Sequence, residues 1–141
     1  MSNHARLSPS SRHRWSKCPG SVREEARYPE GESRSEAAID GTHTHTLLEV
    51  CIKNLIDAET LVGKRLADED GTFTVDAERA ERVQFALDYI WKRTREIPGA
   101  IVKAEEIVTP HRLTGRTDLA GTVDVQIVGD DFLEIIDYKD G

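Results

Sequence analysis

At 141 residues the chain has room for one domain; its 38% hydrophobic content supplies a core and its 32% charged content a solvated surface. The net charge of −7 argues against a protein that merely coats DNA through many Lys and Arg contacts to phosphate, and no apolar run approaches the roughly 20 residues that span a bilayer. Two cysteines, Cys18 and Cys51, make no disulfide framework and point to a reducing cytoplasm.

The charge is uneven. Residues 1–27 hold Arg6, Arg12, Arg14, Lys17, Arg23 and Arg27 against Glu24 and Glu25. These cations could meet phosphate, but a solvated helix face is the preferred reading. No apolar stretch follows His4 and Arg6, so a secretory signal is not expected. An acidic total is also what a carboxylate metal site produces, because its ligands are counted without the cation.

In chain order, Ser8 with Pro9 reads as a helix start, cap followed by first helical position. That short helix carries Trp15 and stops at Cys18-Pro19-Gly20. Residues 28–35 read as a polar loop. A second helix is predicted over 36–56, where Ile39, Leu48, Cys51, Ile52, Leu55 and Ile56 recur at helical spacing. Gly41 inside it costs about 1 kcal/mol against Ala, which suggests a packing reason. Residues 63–75 read as an irregular connection with a short strand around Phe73. A third helix spans 77–96, capped by Asp76, with Ala80, Val83, Leu87, Ile90 and Trp91 as its inner stripe. Pro98-Gly99 ends it. The period then changes to two, giving a strand over 101–108, a second within 118–128 and a third within 132–139. The expected class is α/β (α+β): one domain over 1–141, helical over about 7–97, with helices packed on a small mixed sheet formed by a β-meander over about 100–141.

The candidate chemistry begins in the last hairpin. Asp137 and Lys139 are two apart and share a face. If the turn is a two-residue one at Asp130-Asp131, Gly129 lies opposite Phe132 and Asp124 opposite Asp137, on one face. A three-residue turn would send Asp137 to the other face. Two carboxylates that close repel unless a cation or proton sits between them. Hard cations prefer such oxygens, and a lysine beside them can stabilise charge on a phosphate. By itself an Asp-x-Lys strand is usually a surface ion pair.

On the second helix His45, Leu48, Glu49 and Ile52 fall on one side. His45 and Glu49 sit at the edge of an apolar face and need partners. Either they pair with each other at i,i+4, or His45 is a metal ligand or phosphate contact with Glu49 orienting it or completing the site. His43 is expected on the surface.

Gly41-Thr42-x-x-His45-x-x-x-Glu49, then Gly121-Thr122-Val123-Asp124, then Ile135-Ile136-Asp137-Tyr138-Lys139 resembles the RecB-like exonuclease branch of the PD-(D/E)XK superfamily. The opening Leu7-Ser8-Pro9-Ser10-Ser11, Arg14-Trp15 and Cys18-Pro19-Gly20-Ser21 is similar to a phage- and prophage-associated subfamily. The resemblance covers about residues 7–141. It implies a restriction-endonuclease-like core and hydrolysis of DNA with Mg2+ or Mn2+. Carried over by position, Asp124 and Asp137 are acidic metal ligands, Lys139 is the catalytic lysine and His45 joins the metal shell. Glu106 is a further candidate from a strand face shared with Val102, Ala104 and Val108, though an ordinary strand-edge acid is the more natural reading; Glu105 is expected to point the other way, into solvent. Relatives continue past the Asp-x-Lys strand, so the core is expected to be incomplete. Some relatives hold an iron–sulfur cluster; Cys18 matches its first cysteine, but the other three have no counterpart. No cluster is expected, and Cys18 is read as a buried thiol. DNA, and a phage recombination protein in the cytoplasm of a bacterial host, are the expected partners. The competing readings are a truncated, catalytically inactive module that keeps the fold to bind DNA or protein, and an unrelated α+β protein with surface ion pairs.

Overall fold

The computed structural model describes residues 7–27 and 34–139. The fold is mixed α+β, with helices and two antiparallel sheets of two and three strands. A 3-10 turn (Pro9–Ser11) leads into α1 (Arg12–Trp15) and α2 (Ser21–Glu25), followed by α3 (Glu36–Asn54), β1 (Arg65–Asp68), β2 (Gly71–Thr74) and α4 (Ala77–Glu96). β3 (Ile101–Val108), α5 (His111–Thr114), β4 (Gly121–Val128) and β5 (Leu133–Ile136) complete the order. Most of the loop expected at 28–35 lies outside the described residues. Among the described residues no helix is long and apolar enough to cross a membrane.

Backbone contacts divide the chain into two compact units, Met1–Ser33 with Ile107–Thr122, and Arg34–Glu106 with Val123–Gly141. In the first unit a parallel bridge joins Leu7 to Leu119, and Leu7 N donates to Asp118 O at 3.0 Å. Gly121 lies so near Pro9 that a Cβ there would stand 2.6 Å from Pro9 Cγ, so only glycine permits the approach. Trp15 is held by its indole, whose Nε1 donates to Ser8 O at 2.9 Å. Ser8 precedes the turn in an extended conformation, but its Oγ meets Ser11 Oγ rather than capping a backbone amide.

The second unit holds the main core. Ser35 caps α3 by accepting from Ala38 N at 3.2 Å, and Asp76 caps α4 by accepting from Arg79 N at 2.7 Å. α3 contributes Leu47, Leu48, Cys51 and Ile52, and α4 contributes Ala80, Val83, Leu87 and Ile90. Val125 and Ile127 of β4 are fully buried on the sheet face that bears Glu134, which Arg93 of α4 binds through Nη2 at 2.8 Å. Packing against α3 does not explain Gly41: a Cβ there would meet nothing within 4 Å. The short strand expected around Phe73 is β2; the rest of the stretch expected to be irregular over 63–75 also holds β1, paired with it and turned at Glu69-Asp70. These four-residue strands are too short and polar to show a two-residue period.

Candidate functional site

The β4–β5 hairpin turns at Asp130-Asp131, with Gly129 N donating to Phe132 O at 2.8 Å. Its register pairs Val125 with Ile136 and Val128 with Leu133. The paired register ends at Val125–Ile136, one position short of Asp124 and Asp137, so Asp137 to Lys139 follow the end of β5. Gly129 has a steric reason, since a Cβ would stand 2.7 Å from Ile97 Cγ2. Asp124 faces away from the buried Val125 and is itself half-buried; its Oδ2 accepts from Tyr138 N at 2.8 Å, which fixes the end of the hairpin. Leu133 and Ile135 share the Asp124/Asp137 face and are 58% and 60% exposed, so that face stays open.

α3 brings in His45 from the rim of its buried stripe. His45 Nδ1 lies 3.3 Å from Glu105 Oε1 and 3.7 Å from Asp124 Oδ1, with the Tyr138 ring edge-on at 5.7 Å. Glu105 corrects the expectation that it points into solvent, while Glu106 keeps the preferred reading of an ordinary strand-edge acid. In a regular strand Glu105 would oppose Ala104, but its φ of 53° is left-handed and breaks the alternation. Ala104 is buried, Glu105 is half-buried beside His45, and Glu106 is left exposed. Nothing in two adjacent glutamates announces which is turned, because a non-glycine residue at positive φ has no compositional marker.

One ligand atom each from His45, Glu105 and Asp124 lies within 4.8 Å of the others. Burial pushes the Asp124 carboxyl above its usual range, against the Tyr138 amide and His45, which favour its ionised form. The hydrogen bond to the Glu105 carboxylate raises His45 despite burial, and Asp124 adds to the effect. Asp137 is lowered chiefly by Lys139, whose Nζ sits 2.9 Å from Asp137 Oδ1 and is raised by that contact. Asp137 also interacts with Asp124. Two acids and an imidazole this close could hold a divalent cation, which would relieve the repulsion of the carboxylates. Asp137 stands next to this set but is turned toward Lys139; both side chains are largely exposed.

Glu49 is not part of the cluster. It is bound by Lys53 one turn on, so the alternatives of a His45–Glu49 pair and of Glu49 completing the site both give way to Glu105. His43 is not on the surface either. Its Nδ1 lies 2.6 Å from Asp68 Oδ2, and its ring stacks on Phe73 at 4.2 Å. Burial alone would raise Asp68, but His43, the Asp70 amide and Thr46 outweigh it and lower the carboxyl below its usual range. This pair ties the β1–β2 hairpin to α3. Cys18 is exposed rather than buried, while Cys51 is fully buried in α3 and its thiol is pushed up to about 11 by burial.

The family described as "Protein of unknown function (DUF2800)" matches residues 4–141. No solved structure matches the chain. The match takes in the His45 helix, the Glu105 strand and the Asp124–Lys139 hairpin, and the chain belongs to the DUF2800 family.

Proposed function

We propose that this chain is a divalent-metal-dependent deoxyribonuclease whose centre is His45, Glu105 and Asp124, with Asp137 and Lys139 beside it. The carrying observation is the convergence of two acids and an imidazole from three separate segments within 4.8 Å. The resemblance to the PD-(D/E)XK superfamily supports the same reading. Oxygen-rich donors with one nitrogen suit Mn2+ at least as well as Mg2+. Such a cation, when bound, supplies a nucleophile from water at neutral pH and offsets charge on the scissile phosphate. The remaining work falls to the chain's own groups. Tyr138 N holds the Asp124 carboxylate in place, and Glu105 orients the His45 ring. Lys139, kept near by Asp137 at 2.9 Å and 79% exposed, can reach a phosphate and neutralise charge that grows there. The open face around Leu133 and Ile135 leaves room for a polymer.

A second reading, a DNA-binding module without turnover, is favoured by one observation: Asp137 and Lys139 are exposed and occupied with each other. Hydrolysis of linear duplex DNA with Mn2+ or Mg2+, beside Lys139→Ala and Asp124→Asn, separates the two. Metal-dependent cleavage that falls about 100-fold or more in both variants is expected, the scale for removing one group that stabilises the transition state. Calorimetric Mn2+ binding that survives Lys139→Ala and is lost in Asp124→Asn, with the duplex bound but not cleaved, would establish the second reading. Neither binding nor cleavage would overturn both.

A further inference from the structure

The first unit differs from the rest of the chain in charge. Residues 7–27 and 107–122 carry seven Lys and Arg against three Asp and Glu, a net of +4 in a chain whose total is −7. The Leu7–Leu119 bridge gathers the N-terminal cations with Arg112 and Arg116 into one body. Arg14 is paired with Glu25, Arg27 with Glu24 and Arg116 with Asp118. Arg12, Lys17, Arg23 and Arg112 are exposed and make no ion pair among the described residues.

The same unit contains a cavity of about 570 Å3 lined by Leu7, Trp15, Val22 and Leu119, with the Arg116–Asp118 pair in its wall. Its size is that of a small-molecule site, large enough for one nucleobase with its sugar. Trp15 is fixed there by its bond to Ser8 O. Two of the unpaired cations directly follow lining residues in the chain, Lys17 after Ser16 and Arg23 after Val22. An apolar, aromatic-walled pocket amid cations is what an unpaired nucleotide calls for. Its base finds a π-face and apolar walls, and the phosphates on either side find Lys and Arg. A duplex cannot use the pocket, because its bases are already stacked and extruding one costs a few kcal/mol.

We propose that this unit is a binding site for single-stranded DNA, one base entering the Trp15 pocket and the flanking phosphates lying on Lys17 and Arg23. The proposal deepens the nuclease reading, on which it rests for naming DNA, by giving the form of the substrate. Its binding is read without metal, so the two fail separately.

The test is titration of the full chain, in EDTA, with a labelled 12-nucleotide oligo-dT and with a duplex of equal length, followed by anisotropy. Tryptophan fluorescence is read in parallel on a Trp91→Phe variant, in which Trp15 is the remaining reporter. The single strand should bind more tightly than the duplex and quench Trp15. Lys17→Glu with Arg23→Glu should weaken binding and make it less salt-dependent, by about 0.7 in log–log slope for each phosphate no longer neutralised. Trp15→Leu, checked for folding by circular dichroism, should cost about tenfold, within the range for removing one base–aromatic stack. Equal affinity for duplex and single strand, or binding with no change in Trp15, would overturn the base pocket. Indifference to the Lys17/Arg23 reversal would overturn the phosphate path. Quenching by vesicles of anionic phospholipid but not by oligo-dT would assign the surface to a membrane and overturn the proposal.

Discussion

Replacing Glu105 by glycine and, separately, by alanine isolates the backbone strain on which the cluster depends. Both changes delete the same carboxylate and its 3.3 Å approach to His45, so that effect cancels in the comparison. What remains is the φ of 53°. A left-handed conformation costs an L-residue about 1–2 kcal/mol. Glycine escapes that cost but loses about 0.5–1 kcal/mol more chain freedom on folding than alanine. Glu105→Gly should therefore be the more stable variant by about 0.5–1 kcal/mol. Inside a regular strand the order is reversed, with alanine ahead by a similar amount. Urea unfolding decides the sign: with a slope of about 1–3 kcal/mol per molar, the midpoints should differ by several tenths of a molar. An alanine variant more stable than the glycine one would mean that β3 keeps its alternation, that Glu105 points outward, and that the assignment of Glu105 over Glu106 is mistaken. Both variants should lose Mn2+ affinity alike.

Two other outcomes follow from geometry. Asp68 is lowered in the folded protein, so its contribution to stability is complete above the ordinary carboxylate range and is lost as pH falls through its depressed value; Asp68→Asn should flatten the acid limb of a stability–pH curve below about pH 4, and an unchanged limb would remove the His43–Asp68 pair from the fold's support. Gly129→Ala drives a methyl to 2.7 Å from Ile97 Cγ2 and should destabilise by about 1–3 kcal/mol, with a second change, Ile97→Ala, recovering part of it by thermal unfolding; no recovery would show that the turn, not the close approach, needs glycine.

The hairpin's register is legible in the sequence because parity alone fixes it. Once Asp130-Asp131 is a two-residue turn, Val128 must oppose Leu133 and Val125 oppose Ile136. Likewise α3 and α4 follow from their apolar spacing, α4 also from Asp76 at its cap. What the sequence hides are contacts between segments distant in the chain. Glu105 reaches His45 across 60 positions through a backbone angle no residue type advertises, and His43 finds Asp68 only because β1 and β2 form a hairpin there. Helical spacing leaves Glu49 open to two partners, and Lys53, also one turn away, takes it. Residue type alone places Cys18 inside, but it follows a four-residue helix with no buried residue, which has no interior to offer it.

The two thiols differ so much in setting that the molecule is already prepared for site-selective chemistry. Cys51 is sealed within α3, and with its thiol near 11 almost none of it is thiolate at neutral pH. Cys18 is open to reagent. A maleimide dye added to the native protein would therefore attach at one position, three residues from Trp15, without any cysteine being engineered in or out. Unfolding the chain would uncover a second equivalent, so counting labels would report how much of α3 has opened.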